Sequence, residues 1–410
     1  MTVGHFDIIV IGAGIAGASV AAYLAETHRL LVLERESQPG YHSTGRSAAL
    51  YSLTYGAEPV RALSRASRDF LVKPPTGFAD VPLLRPRGAL HIATKEQAET
   101  LGAFAETRDV AVVSRRLDGR AARTLCPILR HDAVESAAFE PDAADVEVHA
   151  LHQGYLRLLR ARQGGLLTDC AVENIQRGPG NWIVRTGVRS FVAPIVIDAA
   201  GAWADAVAVM AGVEPLGLQP MRRTAVLVDP PEGEKVDDWP MVIDIDERFY
   251  FKPDAGQLLL SPADETPSQA CDAQPEEWDV ALAIDRVEAV TTLKVRRVKS
   301  RWAGLRTFAP DRVPVAGYDP QAPGFFWLAG QGGYGIQTSD GLARSATALV
   351  LGEPLPESAA AAGVRADDLS PARLRRAERS GQDEGTGLVP DRGGTLGHRP
   401  IKGIPESGGG

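Results

Sequence analysis

An apolar run interrupted only by Asp7 lies close to the N-terminus. FDIIVI (6–11) shows no polar alternation and predicts a strand buried on both faces of a parallel sheet. IAGASVAAYLA (15–25) follows, with small and apolar residues that predict a helix able to lie close to that sheet. LLVLE (30–34) is a second buried strand, so the three form a βαβ unit. Helical spacing returns at 57–72, where Val60, Leu63, Ser67, Phe70 and Leu71 share a face, and at 95–107, 119–126 and 149–164. LLRPRGALHIA (83–93) predicts strands broken by Pro86 and Gly88. Between 164 and 201 the pattern predicts successive strands ending in DAAG.

Residues 218–304 alternate strand patterns with turns, then give a charged helix at 276–290. The pattern is that of a sheet covered on one side. In RFYFKPD, Tyr250 alternates with Phe249 and Phe251 and faces away from both. GFFWLAG (324–330) is another buried strand and feeds a glycine turn and a helix over 331–350. The expected fold is α/β, or α+β overall. A discontinuous Rossmann-like domain comprises 1–80, 145–217 and 305–365. A smaller domain on a mixed or antiparallel sheet comprises 81–144 and 218–304. The tail 366–410 is expected to be disordered, being rich in Gly, Pro, Ser and charge towards its end.

Glycine placement turns the first unit into a candidate nucleotide site. Gly12, Gly14 and Gly17 form GxGxxG between a strand and a helix, and Glu34 closes the next strand. Gly12 permits the turn, Gly14 lets a pyrophosphate approach, and Gly17 lets helix and strand pack. The helix N-terminus favours phosphate charge. Glu34 suits a ribose diol and repels a 2′-phosphate, which disfavours NADP.

Three later stretches favour FAD over NAD. SFVAPIVIDAAGAWA (190–204) ends a buried strand in small residues suited to contact with a dinucleotide. WLAGQGGYGIQTS (327–339) sets a glycine turn at a helix N-terminus, whose positive end suits the flavin N1–C2=O edge. YHSTGRSAALYS (41–52) follows Glu34 and is too polar for a core strand. Ser43 and Thr44 are expected to cap a short helix and donate to pyrophosphate, while Gly45, Ser47, Ala48 and Ala49 lie against a flat ring. Arg46 is either a cofactor partner or a structural ion pair.

Composition narrows the partners. With 44% hydrophobic positions, 410 residues can bury a sizeable core, and a net charge of −8 argues against nucleic acid. Three scattered cysteines, Cys126, Cys170 and Cys271, imply neither a disulfide framework nor a metal site, and a reducing cytoplasm is the expected home. No run approaches the length of a transmembrane span, and no signal peptide is expected at the N-terminus.

IGAGIAGAS, LERESQPGYHSTGRSAA, GLQPMRRTA, FYFKPDAG, WAGLRTF and QGGYGIQTS together resemble the D-amino acid oxidase superfamily of flavoproteins, and within it most nearly the bacterial D-arginine dehydrogenase type. The resemblance extends from residue 8 to about 375. It implies non-covalent FAD, since no cysteine lies near the C-terminal glycine loop. It implies cofactor contacts from Ile15, Ala16, Arg35, His42, Val172, Ala200, Gly201, Trp203, Gly304, Gly332, Gly333, Tyr334, Gly335, Ile336, Gln337 and Thr338, beside the residues above.

For the substrate, a small amino acid or amine, it implies Arg223 and Arg306 as carboxylate forks, Tyr250 over the carboxylate and Tyr55 on a lid. It also implies the Gly333 carbonyl as acceptor for the amine, with Gln337 nearby. Arg222 reads as a surface arginine. The reaction implied is hydride transfer from Cα to flavin N5, then hydrolysis of the imino acid, with no side-chain base. The acceptor that reoxidises the flavin, a quinone, a dye-like molecule or O2, is not indicated.

D-arginine-using members carry Glu and His where this chain has Ala89 and Leu50. A buried guanidinium would lack a partner there, so small or apolar D-amino acids are expected, with His91 restoring some polarity beside Ala89. The alternatives are a secondary amine such as an N-methyl amino acid, a flavin-binding homologue without turnover, and an NAD dehydrogenase.

Overall fold

In the computed structural model residues 3–187 and 189–375 are described. The mixed α/β architecture expected from the pattern is present. The central layer is a six-stranded sheet in the order 165–167, 30–33, 8–11, 195–198, 325–329, 315–318, parallel except for its last pair. Ile8, Ile9 and Val10 are fully buried, as a strand covered on both faces demands. The helix Ile15–Leu24 lies against it, and the helices Val148–Ala161 and Ser339–Leu351 pack on that helix in turn.

The second large sheet is mixed. Its strands come from 89–93, 115–118, 136–140 and 219–308. Met241–Asp244 runs parallel to Ala89–Ala93, while the other pairs are antiparallel. The helix Glu277–Val290 covers one face, where Val280, Ala283 and Val287 meet Val226, Leu258 and Phe251. Burial of each such Val, Leu or Phe side chain contributes about 1.5–3 kcal/mol. The opposite face carries Ala225, Tyr250 and Leu259. The period-two reading therefore holds: Tyr250 sits on one face, with Phe249 and Phe251 in the cluster on the other.

Two expectations are corrected. Residues 41–46 form hydrogen-bonded turns in place of a short helix, with Gly45 N–H bonded to the Gly40 carbonyl and Arg46 N–H to that of His42. The start of the expected disordered tail is folded: Ala366–Leu369 is helical, Leu374 is buried, and Arg375 pairs with Asp319 at 2.8 Å. Residues 376–410, the rest of that expectation, lie outside the described residues. A helix at Arg108–Val113 was not expected from the pattern.

Candidate active site

The strand Ile8–Ile11 ends at Gly12, which takes a left-handed φ of +98°. A Cβ at Gly17 would stand 1.9 Å from the Gly12 carbonyl oxygen, so turn and helix touch with no space for a side chain. Gly14 is the N-cap of the helix and carries no cap side chain of its own. Thr44 supplies one instead, its Oγ1 accepting from Ile15 N–H at 3.0 Å. Glu34 is buried, and its carboxylate accepts from Ala13 N–H at 2.7 Å and Glu36 N–H at 2.9 Å. A carboxylate has about four lone-pair positions, so acceptor capacity remains for a diol.

Gly12, Gly14, Ile15, Glu34 and Thr44 line a cavity of about 360 Å³ that also reaches Arg223, Tyr250 and Arg306. Most cofactor residues expected from the sequence are on its wall. The turns and the residues after them line it, but the side chains of His42, Ser43, Thr44 and Arg46 are bonded within the protein. Ser43 Oγ donates to the Leu305 carbonyl, and Arg46 donates to the Ala273 and Ala303 carbonyls at 3.0 Å each and pairs with Asp272. Arg46 thus forms an ion pair within the protein while also lining the cavity. His42 bonds Glu36 at 2.9 Å and packs on Trp203, with ring centroids 4.6 Å apart; Arg35 lies over the same indole.

The substrate end is built by strand register. Residues 223 and 225 of Gln219–Val228 pair with 304 and 302 of Val298–Phe308, so Arg223, Ala225, Gly304 and Arg306 come to the same wall. The two arginines differ. Arg223 donates through Nε to the Asp264 carbonyl at 2.7 Å and through Nη2 to Glu265 at 3.2 Å, a carboxylate shared with Arg312. Among the described residues Arg306 has no carboxylate within ion-pair distance; its one hydrogen bond runs from Nη1 to the Tyr55 hydroxyl at 3.2 Å. Burial opposes the Arg306 charge, yet the surrounding tyrosine hydroxyls and Glu265 push its pKa up. Burial likewise raises the Tyr250 hydroxyl, but the Arg306 and Arg223 charges outweigh it and leave the pKa below its ordinary value.

Tyr55 meets Tyr334 edge to face at 4.8 Å. A Cβ at Gly333 would come within 2.9 Å of both the Tyr55 hydroxyl and Arg306, so a side chain there would push these two side-chain ends aside. Arg222, read as a surface residue, is paired with Glu276 and Asp279.

Other expected residues stand behind the wall. Ala89 is fully buried, and Leu50 packs in the cluster that holds Tyr250. His91 is buried against Phe104 and Thr54, which drives its pKa down to about 4. Gln337 is bonded to Ser52 N–H and the Ser64 hydroxyl, and Thr338 to the Tyr334 carbonyl. Gly17, Gly45, Ala49, Tyr55 and Tyr334 are also off the wall. The helix after the glycine turn starts only at Ser339, and Asp340 occupies its first turn, so the wall here is the turn itself. Sequence reasoning missed Gln331, which lines the cavity and whose buried Nε2 has no partner among the described residues. Its only signal was adjacency to Gly332. It also missed the apolar wall of Val207 and Met210.

The residues present fit FAD: a strand–turn–helix phosphate cradle, an acid for the ribose, and an unpartnered amide beside the glycine turn. Comparison with known proteins agrees. Residues 7–349 match the family model described as FAD dependent oxidoreductase. The Bacillus subtilis oxidoreductase YurR is 26% identical, over 84% of this chain and 95% of its own. Mouse mitochondrial sarcosine dehydrogenase is 25% identical over 82% of this chain, which spans only 38% of that longer protein. Among solved structures, glycine oxidase from Geobacillus kaustophilus superposes with a TM-score of 0.75 at 22% identity, covering 86% of this chain and 96% of the other. The chain belongs to the FAD dependent oxidoreductase (DAO) family, and FAD is its cofactor.

Proposed function

We propose that the protein oxidises a carboxylate-bearing amine, and that the substrate is a D-amino acid with a small or apolar side chain. The carrying observation is Arg306: a guanidinium on the cavity wall, flanked by Tyr250 and Tyr55, with no carboxylate partner among the described residues. A charge so placed is costly unless a ligand anion completes it. Arg306 grips the substrate carboxylate as a fork, and Tyr250 donates to it. Arg223, held by Asp264 and Glu265, adds positive field. The Gly333 carbonyl accepts from the amine and orients Cα.

FAD, when bound, supplies the two-electron acceptor. The amine loses two electrons and two protons to give an imino acid, and water hydrolyses this to a 2-oxo acid and ammonia. The apolar cluster that backs Tyr250, with Leu50, Met241 and Leu259, offers no partner to a basic side chain and so disfavours one. The likeness to the D-arginine dehydrogenase type thus supports the D-amino acid class but not arginine itself.

A second reading, oxidation of an N-methyl amino acid, draws about equal support from the sarcosine dehydrogenase and glycine oxidase relatives. Anaerobic mixing of the flavoprotein with D-methionine, D-leucine, D-arginine, sarcosine and N-methyl-D-amino acids separates the two. Bleaching by apolar D-amino acids ahead of the others supports the first reading. Faster bleaching by N-methyl substrates establishes the second, and preference for D-arginine overturns the side-chain argument.

A further inference from the structure

Tyr55 stands on a segment without regular structure, between the strand Leu50–Tyr51 and the helix Glu58–Val72. Its backbone has no ladder to hold it, so side chains do. Ser52 N–H donates to Gln337 Oε1 at 3.1 Å, Leu53 N–H to Glu140 Oε1 at 2.7 Å, and Thr54 N–H to Ser52 Oγ at 3.2 Å. The hydroxyls of Ser52 and Thr54 both donate to Glu140 Oε2, at 2.7 and 2.8 Å. Glu140 is 1% exposed and ends the strand Ser136–Glu140, where it pairs across with Ala89. One buried carboxylate of the mixed sheet therefore gathers three donors from three consecutive residues, and the next residue is the one that touches Arg306.

Burial of a carboxylate is expensive and raises its pKa, so a group retained there with three donors does more than fill space. Three of the roughly four acceptor positions of Glu140 are taken by this one segment. His91 packs on the same cluster through Thr54, at 3.2 Å, and is neutral near pH 7.

We infer that Glu140 is a positioning residue for the carboxylate clamp, fixing residues 52–54 so that the Tyr55 hydroxyl meets the Arg306 guanidinium. This rests on the reading of Arg306 as a carboxylate fork. Without Glu140 the segment keeps its anchor at Gln337 but loses three bonds at its centre, and Tyr55 leaves Arg306. Substrate binding then suffers more than the chemical step, because Tyr55 touches the fork and not the reacting carbon.

The test uses the FAD-replete full chain and two readouts, the KM for D-methionine and the Kd of benzoate, a monocarboxylate probe, from perturbation of the flavin absorbance. Glu140→Ala is expected to raise both about tenfold, equivalent to one net hydrogen bond to a charged group, with kcat within about twofold and flavin content unchanged. Tyr55→Phe is expected to do the same, and the double variant to be no worse than either. Glu140→Gln, which can still accept from Leu53 N–H, recovers most of the loss. Should Glu140→Ala fail to fold, Thr54→Val and Ser52→Ala each remove one donor and are expected to raise the benzoate Kd by a smaller factor.

Unchanged benzoate affinity in these variants, or effects of Glu140→Ala and Tyr55→Phe that multiply, overturns the inference and leaves the fork intact. A wild-type protein that binds no monocarboxylate overturns both.

Discussion

At the Glu34 end of the cavity the wall is made mainly of backbone and small residues: Gly12, Gly14, Ala200, Gly201 and the first turn of a helix. At the Arg306 end long side chains come from strands far apart in sequence, and Tyr55 reaches Arg306 from a loop behind the wall. The first end binds through dipoles and shape that folding itself supplies. On the proposed reading the second binds through one charge held ready by its neighbours. Damage at the first end should cost the fold and the cofactor together, while damage at the second should cost the substrate alone.

Gly17→Val presses hardest on this contrast. Its Cβ would sit 1.9 Å from the Gly12 oxygen, so the helix must shift from the sheet. A loss of at least about 3 kcal/mol is expected, the upper range for overpacking, with the protein recovered colourless; thermal melting and flavin content check it. Arg306→Met should leave flavin content and melting near wild type. It removes one partner of a buried charge pair, so kcat/KM should fall by about 3 kcal/mol or more, on the order of a hundredfold.

His91 tests the ground between the two ends. Burial holds it near pKa 4, below its unfolded value, so it stays neutral in the fold while the unfolded chain takes up a proton. Its stabilising contribution is full above the unfolded pKa and is lost as pH falls towards 4. Between those limits wild type should lose up to about 3 kcal/mol more than His91→Asn, read from denaturant midpoints at successive pH values. The smallest effect is expected from Cys170→Ala. Cys170 lines the cavity beside Glu34, and acid precipitation should release FAD from both wild type and variant.

The same contrast explains what the residues disclosed in advance. The glycine fingerprint and Glu34 lie within one βαβ unit, so their spacing alone carried their geometry. The alternation at 249–251 placed Tyr250 on the correct face because strand period needs only neighbours. The turns at 41–46 were misread as a helix because their anchors, Leu305, Ala273 and Ala303, are distant in sequence. Glu140 was invisible for the same reason: its partners are residues 52–54, and nothing around it in AAFEPD marks a site. That Arg223 is committed to Asp264 and Glu265 while Arg306 is not also depends on tertiary contacts.

The most direct measurement compares an acid with its amide. The FAD-replete protein is mixed anaerobically with D-methionine and, separately, with D-methioninamide, which keeps the amine and the Cα–H but lacks the charge for Arg306. Bleaching by the acid at least about a hundredfold faster at low concentration, with the difference abolished in Arg306→Met, is the predicted result. Equal bleaching by acid and amide in the wild-type protein would contradict it.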